Sequence, residues 1–153
     1  KHDVILMHEN EKDIYGDVLS RCVDLMQTLN SAHFKSAFDF ANFVQCGEDT
    51  AKCWDALRPY IVYIHIKDAV STDKENVLCG TGEGKIPELL HKAIVEEGYT
   101  GFLPLEPHLV LFDSLQSLET TDAKNIIREN KYKNGAEGYA AQYHALCDIL
   151  AKF

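Results

Sequence analysis

The sequence contains no apolar run of about eighteen residues, which is the length that a membrane-spanning helix needs. Nothing at its start resembles a signal peptide. Its five cysteines are odd in number and include no C-x-x-C pair, so neither a disulfide framework nor a zinc knuckle is indicated. We therefore expect buried free thiols in a cytoplasmic protein that has no membrane partner.

Basic residues are scarce, because 15 Lys and Arg stand against 24 Asp and Glu, a formal net charge of −9. A surface of that charge repels phosphate backbones, which argues against a nucleic-acid partner. A bound cation would reduce the imbalance. The chain also opens without methionine, and Lys1 is followed closely by an apolar segment. We expect it to be an interior part of a longer polypeptide.

The 153 residues, of which 46% are hydrophobic, are enough for a single domain, 1–153. One pattern repeats along them: an apolar run of strand length ends in an ionisable residue, and a polar stretch and an amphipathic helix follow. The predicted strands cover 4–7, 36–38, 60–64 and 101–105. The predicted helices cover about 18–29, 49–57, 86–97 and 136–152, with a long polar connection at 113–134.

Apolar strands that alternate with helices predict an α/β fold, a parallel sheet covered by helices. Four such units fit either a small open sheet or one half of an eight-stranded barrel, which needs about 250 residues. Periodicity does not choose between these two architectures. Pro104 lies inside the fourth predicted strand, although proline cannot donate a hydrogen bond to a central ladder.

All four predicted strands end in a side chain that can bind metal: Glu9, Asp39, His65 and Glu106. The ends of parallel strands meet at one edge of a sheet or barrel, so these residues can converge. Three carboxylates and one imidazole suit hard or borderline divalent ions, whereas structural zinc prefers thiolates. Taken singly, each acid is more simply a helix cap or a solvated charge, and the histidine a hydrogen-bonded core residue.

Five motifs occur in order along the chain: His8-Glu9-Asn10-Glu11, Asp39-Phe40-Ala41-Asn42, His65-Ile66-Lys67-Asp68, Gly80-x-Gly82-x-Gly84 and Glu106-Pro107-His108. Together they resemble the xylose isomerase-like TIM-barrel superfamily, and within it the sugar phosphate isomerase/epimerase group, alongside tagatose-type ketose 3-epimerases and inosose dehydratases. The resemblance implies four βα units that correspond to strands 5–8 of a (β/α)8 barrel. The chain would then be the C-terminal half, and strands 1–4 would be absent.

The same resemblance implies that Glu9, Asp39, His65 and Glu106 bind one divalent ion (Mn, Mg, Co or Zn). It also implies proton transfer next to a ketose carbonyl, with Glu9 and Glu106 as the catalytic residues. We expect a sugar or sugar phosphate as the substrate, and His108, Lys67 and Asn42 as candidates for binding it. The alternatives are a hydrogen bond within the loop for His108 and a solvated or ion-paired side chain for Lys67. The Gly80–Gly84 loop could approach the ligand or be a plain connector.

Three competing interpretations remain. An apurinic endonuclease of the same fold would need a histidine three residues after Asp39, where this chain has Asn42, and the net charge also argues against it. An inosose dehydratase-like lyase would begin with the same proton abstraction. A catalytically incomplete half-barrel would only bind metal and self-associate. Four strands leave two open edges, so we expect a homo-oligomer or pairing with the missing N-terminal half-barrel.

Overall fold

Three parallel strands form the sheet of the computed structural model, which describes residues 3–110 and 131–153. They are β1 (Leu6–Glu9), β2 (Phe34–Asp39) and β3 (Ile61–His65), adjacent in chain order. Asp39 pairs with His65 in the register of β2 and β3. The predicted parallel α/β sheet is thus confirmed, and the last residue of each strand is a predicted site residue.

The fourth predicted strand is shorter than expected. It makes only two isolated parallel bridges, from Phe102 to Tyr63 and from Leu105 to Ile66. Pro104 has no N–H to offer, but its carbonyl accepts a hydrogen bond from Ile66 N at 2.8 Å. The segment therefore runs alongside β3 and carries its C-terminal end to the same edge of the sheet as the other three strands.

Helices follow the strands at the predicted places, with bounds that differ by a few residues. They are α1 (Leu19–Leu29), α2 (Phe40–Gln45), α3 (Thr50–Leu57), α4 (Ile86–His91), which continues as a π-helical turn over Lys92–Glu96, and α5 (Gly135–Leu150). The short elements that were not predicted are α2, a 3-10 turn over Arg58–Tyr60, and the antiparallel pair β4 (Asp68–Ala69) and β5 (Asn76–Val77). Most of the predicted connection at 113–134 lies outside the described residues.

The core lies between the sheet and the helices. Phe38 of β2 packs edge-on against Phe40 at 5.1 Å and against Trp54 of α3 at 5.4 Å between ring centroids. All three side chains are fully buried, and burial of that much aromatic surface is the main stabilising contribution that we identify. Within the described ranges, no helix is both long and apolar enough to cross a bilayer.

Among the described residues, nothing pairs with the two outer edges of the sheet. Leu6 and Met7 of β1 are 66% and 45% exposed, and Phe102 at the opposite edge is 76% exposed. A strand edge with apolar side chains and unpaired backbone groups is an aggregation hazard in a finished structure. The exposure on both edges is the pattern expected for a barrel that has been divided between strands.

Candidate metal centre

The four side chains predicted as ligands converge at the C-terminal edge of the sheet. Glu9, Asp39, His65 and Glu106 each offer one ligand atom, and these atoms all lie within 4.8 Å of one another. β1, β2 and β3 each contribute their last residue, and the fourth segment contributes the residue after its second bridge. A separation below 5 Å is small enough for one ion to contact all four.

His65 is at the centre of this cluster. Its Nδ1 lies 2.9 Å from Glu9 Oε1, 3.0 Å from Glu106 Oε2 and 3.7 Å from Asp39 Oδ2. One N–H can be aligned with only one of these acceptors, and the aligned hydrogen bond goes to Glu9. Asp39 Oδ2 and Glu106 Oε2 are consequently buried without a hydrogen-bond donor among the described residues.

The two buried carboxylate oxygens meet His65 and Lys67 as ion pairs and keep no hydrogen-bond donor among the described residues. Such oxygens cost about 1–3 kcal/mol each when no partner is supplied, and more when charged. A divalent ion would satisfy them with the oxygen and nitrogen ligands that Mn²⁺, Mg²⁺, Co²⁺ and Zn²⁺ accept. The residues present therefore fit the predicted kind of metal.

The electrostatics of the metal-free cluster point the same way. The carboxylates of Asp39, Glu106 and Glu9 raise the pKa of His65 to about 12, although burial opposes this. Burial alone would raise the pKa of Glu106. The contacts of Glu106 with His108, His65 and Lys67 outweigh burial and hold that pKa well below its usual range. The attraction of three carboxylates for the proton of His65 indicates that the cluster favours positive charge at this point.

Lys67, a predicted substrate-binding residue, is enclosed beside the cluster, and its contact with substrate stays a prediction. Its side chain is 2% exposed, and Nζ lies 3.3 Å from Asp39 Oδ2 and 3.6 Å from Glu106 Oε2. Burial would lower the pKa of Lys67, but the charges of Asp39 and Glu106 outweigh it and raise the pKa to about 12. Lys67 is therefore a charged partner of the predicted ligands.

Asn10 was missed as a site residue, and it fixes the position of Asp39. Its side chain is buried, donates to Asp39 O at 3.0 Å and accepts from Asp39 N at 2.9 Å. Asp39 in turn uses Oδ1 to accept from Asn42 N at 2.7 Å, which begins α2. Asp39 therefore caps a helix with one oxygen, and its other oxygen is left available for the predicted metal.

Asn42 and His108, the other two predicted substrate-binding residues, both contact the predicted ligands. Asn42 is fully buried, and its Nδ2 lies 3.4 Å from Glu9 Oε1 while its Oδ1 accepts from Lys12 Nζ at 3.1 Å. His108 is half-exposed and donates from Nε2 to Glu106 Oε1 at 2.9 Å. Contact with substrate stays a prediction for both residues.

Asp68 is a second buried residue to which the sequence analysis gave no role. Its carboxylate accepts backbone N–H groups from Gly80 and Gly82 at 2.9 Å, and from Gly84 and Ala69 at 3.0 Å. Burial raises the pKa of Asp68, while those four donors act in the opposite direction. The Gly-rich loop is thus wrapped around a carboxylate, so its backbone donors are already occupied.

Comparison with known proteins identifies the fold. No protein-family model matches the sequence, and neither does any curated protein. Among solved structures, a xylose isomerase domain protein from Planctomyces limnophilus is 19% identical, with a TM-score of 0.60, over 97% of this chain and 45% of its own. The 3-keto-D-glucoside 4-epimerase from E. coli is 14% identical, with a TM-score of 0.60, over 96% of this chain and 46% of its own.

A third similar structure is the probable 3-DHS dehydratase from Bacillus anthracis, which is 18% identical, with a TM-score of 0.57, over 67% of this chain and 42% of its own. The chain therefore spans less than half the length of each of these barrels. At such identities the likeness establishes the fold, and it agrees with the motif order and the parallel sheet. The chain has the fold of half of a xylose isomerase-like (β/α)8 barrel.

Proposed function

We propose that this chain supplies the metal-binding half of a sugar or sugar phosphate isomerase or epimerase that acts by proton transfer next to a ketose carbonyl. The observation that carries the proposal is the convergence of Glu9, Asp39, His65 and Glu106 within 4.8 Å. Two of their oxygens are buried without donors, which supports a cation as the missing partner.

In this proposal the four converging side chains hold one divalent ion, with Mn²⁺, Mg²⁺, Co²⁺ and Zn²⁺ as the candidates. When bound, such an ion polarises the substrate carbonyl and stabilises the negative charge that develops beside it. His65 must be neutral to act as a ligand, so it gives up the proton that it now shares with Glu9.

Glu9 and Glu106 are the proposed proton-transfer residues because they stand at opposite ends of the site. Glu9 ends β1 at one edge of the sheet, and Glu106 follows the segment that pairs with β3 at the other edge. A carbon placed between them would be reached from two sides, as removal and return of a proton with inversion requires. The lowered pKa of Glu106 keeps it ionised, as a metal ligand must be.

Positioning of the substrate is assigned to groups around these two acids. His108, hydrogen-bonded to Glu106, is partly exposed and can donate to a substrate oxygen when it turns away from that carboxylate. Asn42 and Lys67 are buried, and we propose that they act on the substrate through the ligands that they contact. The five cysteines are free, which supports a reducing cytoplasm as the place of action.

The experiment is a metal-content measurement paired with an activity assay. Elemental analysis of the purified protein should find about one divalent ion per chain, and Glu9→Gln or His65→Ala should lose it. The controls are Glu88→Gln and His91→Ala, because both residues lie on the exposed side of α4. A protein that takes up no ion when Mn²⁺, Co²⁺, Mg²⁺ and Zn²⁺ are supplied would refute the proposal, and a dehydrated product would assign the lyase reaction instead.

We further propose that the partner is another half-barrel of four parallel strands, supplied by a second copy or by an N-terminal half-barrel. The exposed apolar edges at Leu6, Met7 and Phe102 support this, since each can continue the sheet. Light scattering on a sizing column distinguishes the two sources: a dimeric mass indicates a second copy. A monomer that binds no added half-barrel would contradict the proposal.

A further inference from the structure

Lys67 has a geometry that the proton-transfer scheme does not explain. It lies two residues after His65, so both side chains leave the extended backbone on the same face. The intervening residue, Ile66, is hydrogen-bonded to the fourth segment on both sides, through its N to Pro104 O at 2.8 Å and through its O to Glu106 N at 3.2 Å. Lys67 is therefore held in place beside the cluster, with 2% of its side chain exposed.

The contacts of the ammonium group are with the two oxygens that lack donors. Lys67 Nζ lies 3.3 Å from Asp39 Oδ2 and 3.6 Å from Glu106 Oε2, without the alignment of a hydrogen bond to either. These contacts are ion pairs that leave the oxygens free to bind another cation. The ammonium group thus faces the same point on which the ligand atoms converge.

A charge count gives this arrangement a purpose. The carboxylates of Glu9, Asp39 and Glu106 contribute three negative charges, and a divalent ion leaves one of them uncompensated. Because an unbalanced charge is expensive in a buried site, the ammonium group of Lys67 makes the divalent-loaded site neutral. A trivalent ion in the same place would leave one excess positive charge.

We propose that Lys67 sets the charge of the ion that the site prefers, selecting divalent over trivalent cations. The inference rests on the proposed metal site and deepens it. The repulsion between the ammonium group and an ion grows in proportion to the charge of the ion. Removing the ammonium group should therefore strengthen the binding of both ions, and it should strengthen the binding of a trivalent ion more.

The experiment measures two dissociation constants for each variant of the purified protein, one for Tb³⁺ by luminescence and one for Mn²⁺ by calorimetry. Lys67→Met and Lys67→Gln both remove the charge, and the glutamine variant keeps a donor next to Asp39. Loss of packing or of preorganisation weakens the binding of both ions alike, so it cancels in the ratio of the two dissociation constants. We expect the preference for Tb³⁺ over Mn²⁺ to rise at least about tenfold in both variants.

Two controls separate the effect of the charge at position 67 from the effect of side-chain shape and from the effect of the protein's net charge. Lys67→Arg keeps the charge and should leave the ratio unchanged. Lys85→Met removes one positive charge from the exposed ion pair with Asp49, where solvent screens it, and should also leave the ratio unchanged. A ratio within twofold of the wild-type value in both neutral variants would overturn the proposal for Lys67. Failure of the wild-type protein to bind Mn²⁺, Co²⁺, Mg²⁺ or Zn²⁺ would instead overturn the proposed function.

Discussion

Replacing Asn10 by alanine tests whether the site is held by the residue that the sequence analysis overlooked. Asn10 is 1% exposed and makes a reciprocal pair of hydrogen bonds with the backbone of Asp39, at 3.0 Å from its Nδ2 and 2.9 Å to its Oδ1. In Asn10→Ala both the N–H and the C=O of Asp39 lose these partners in an interior that excludes water.

The expected loss of stability follows from that count. An unsatisfied buried backbone group costs about 1–3 kcal/mol, so two of them predict a destabilisation of about 2–6 kcal/mol. For a chain of this size, the middle of that range lowers the melting temperature by about 8–16 °C. Because Asp39 is also released from its fixed position, we expect metal affinity to fall about 10–100-fold, as for other residues that orient ligands.

The assay combines thermal unfolding of the metal-free protein with calorimetric titration of Mn²⁺. Asn134→Ala is the matched control, because Asn134 caps α5 by accepting Glu137 N at 3.0 Å, well away from the cluster along the chain. It should cost about 1 kcal/mol and leave metal affinity unchanged. If Asn10→Ala loses less than the control and binds Mn²⁺ as the wild type does, the reasoning about Asp39 is refuted.

Three further outcomes are expected. In Gly82→Ala the new Cβ would lie 2.4 Å from Asp68 Oδ1, whereas in Gly47→Ala it meets nothing within 4 Å and the positive φ costs roughly 1–2 kcal/mol. Unfolding experiments should therefore show a larger loss of stability for Gly82→Ala than for Gly47→Ala. Equal losses would contradict the tight packing of the loop around Asp68. Asp68→Asn should destabilise the protein by about 2–4 kcal/mol in urea unfolding, because a neutral amide cannot accept four N–H groups, and an unchanged midpoint would argue against that role. Asp39, Glu106 and Glu9 raise the pKa of His65 from 6.5 to about 12, so its stabilising contribution is complete below pH 6.5 and is lost as the pH rises toward 12. The melting temperature of the metal-free protein should therefore fall progressively over that window, and His65→Ala should lose this pH dependence. The same pH dependence in His65→Ala and in the wild type would contradict the reasoning.

The sequence was sufficient to predict that these four side chains cluster, because each one carries two signals at once. Glu9, Asp39, His65 and Glu106 are metal-capable side chains, and each follows an apolar run that must be a strand. Strand ends in a parallel sheet share one edge, so chemistry and position could be inferred from the same few letters. The predicted helix at 49–57 was found as Thr50–Leu57, capped by Asp49, for a similar reason.

The roles of Asn10 and Asp68 depend on contacts between residues far apart in the chain, and no local sequence pattern predicts such contacts. Asn10 reaches across to the backbone of Asp39, 29 positions away, and Asp68 collects N–H groups from a loop 12 to 16 positions later. A single Asn or Asp after a strand carries no period from which such a partner can be inferred. At Pro104 the missing N–H could be read from the sequence. The hydrogen bond that its carbonyl accepts from Ile66 N could not.

The position of each proposed ligand within the sheet determines how much the proposed partner half-barrel should matter for metal binding. Asp39 ends the central strand β2 and is fully buried, so this chain alone fixes it. Glu9 and Glu106 sit at the open edges, with side chains 30% and 35% exposed, next to strands that lack a neighbour on one side. Covering those edges orders the two outer carboxylates and leaves Asp39 unchanged. Metal affinity should therefore rise when the half-barrel is completed, and it should rise through the two acids that the proposed proton transfer requires.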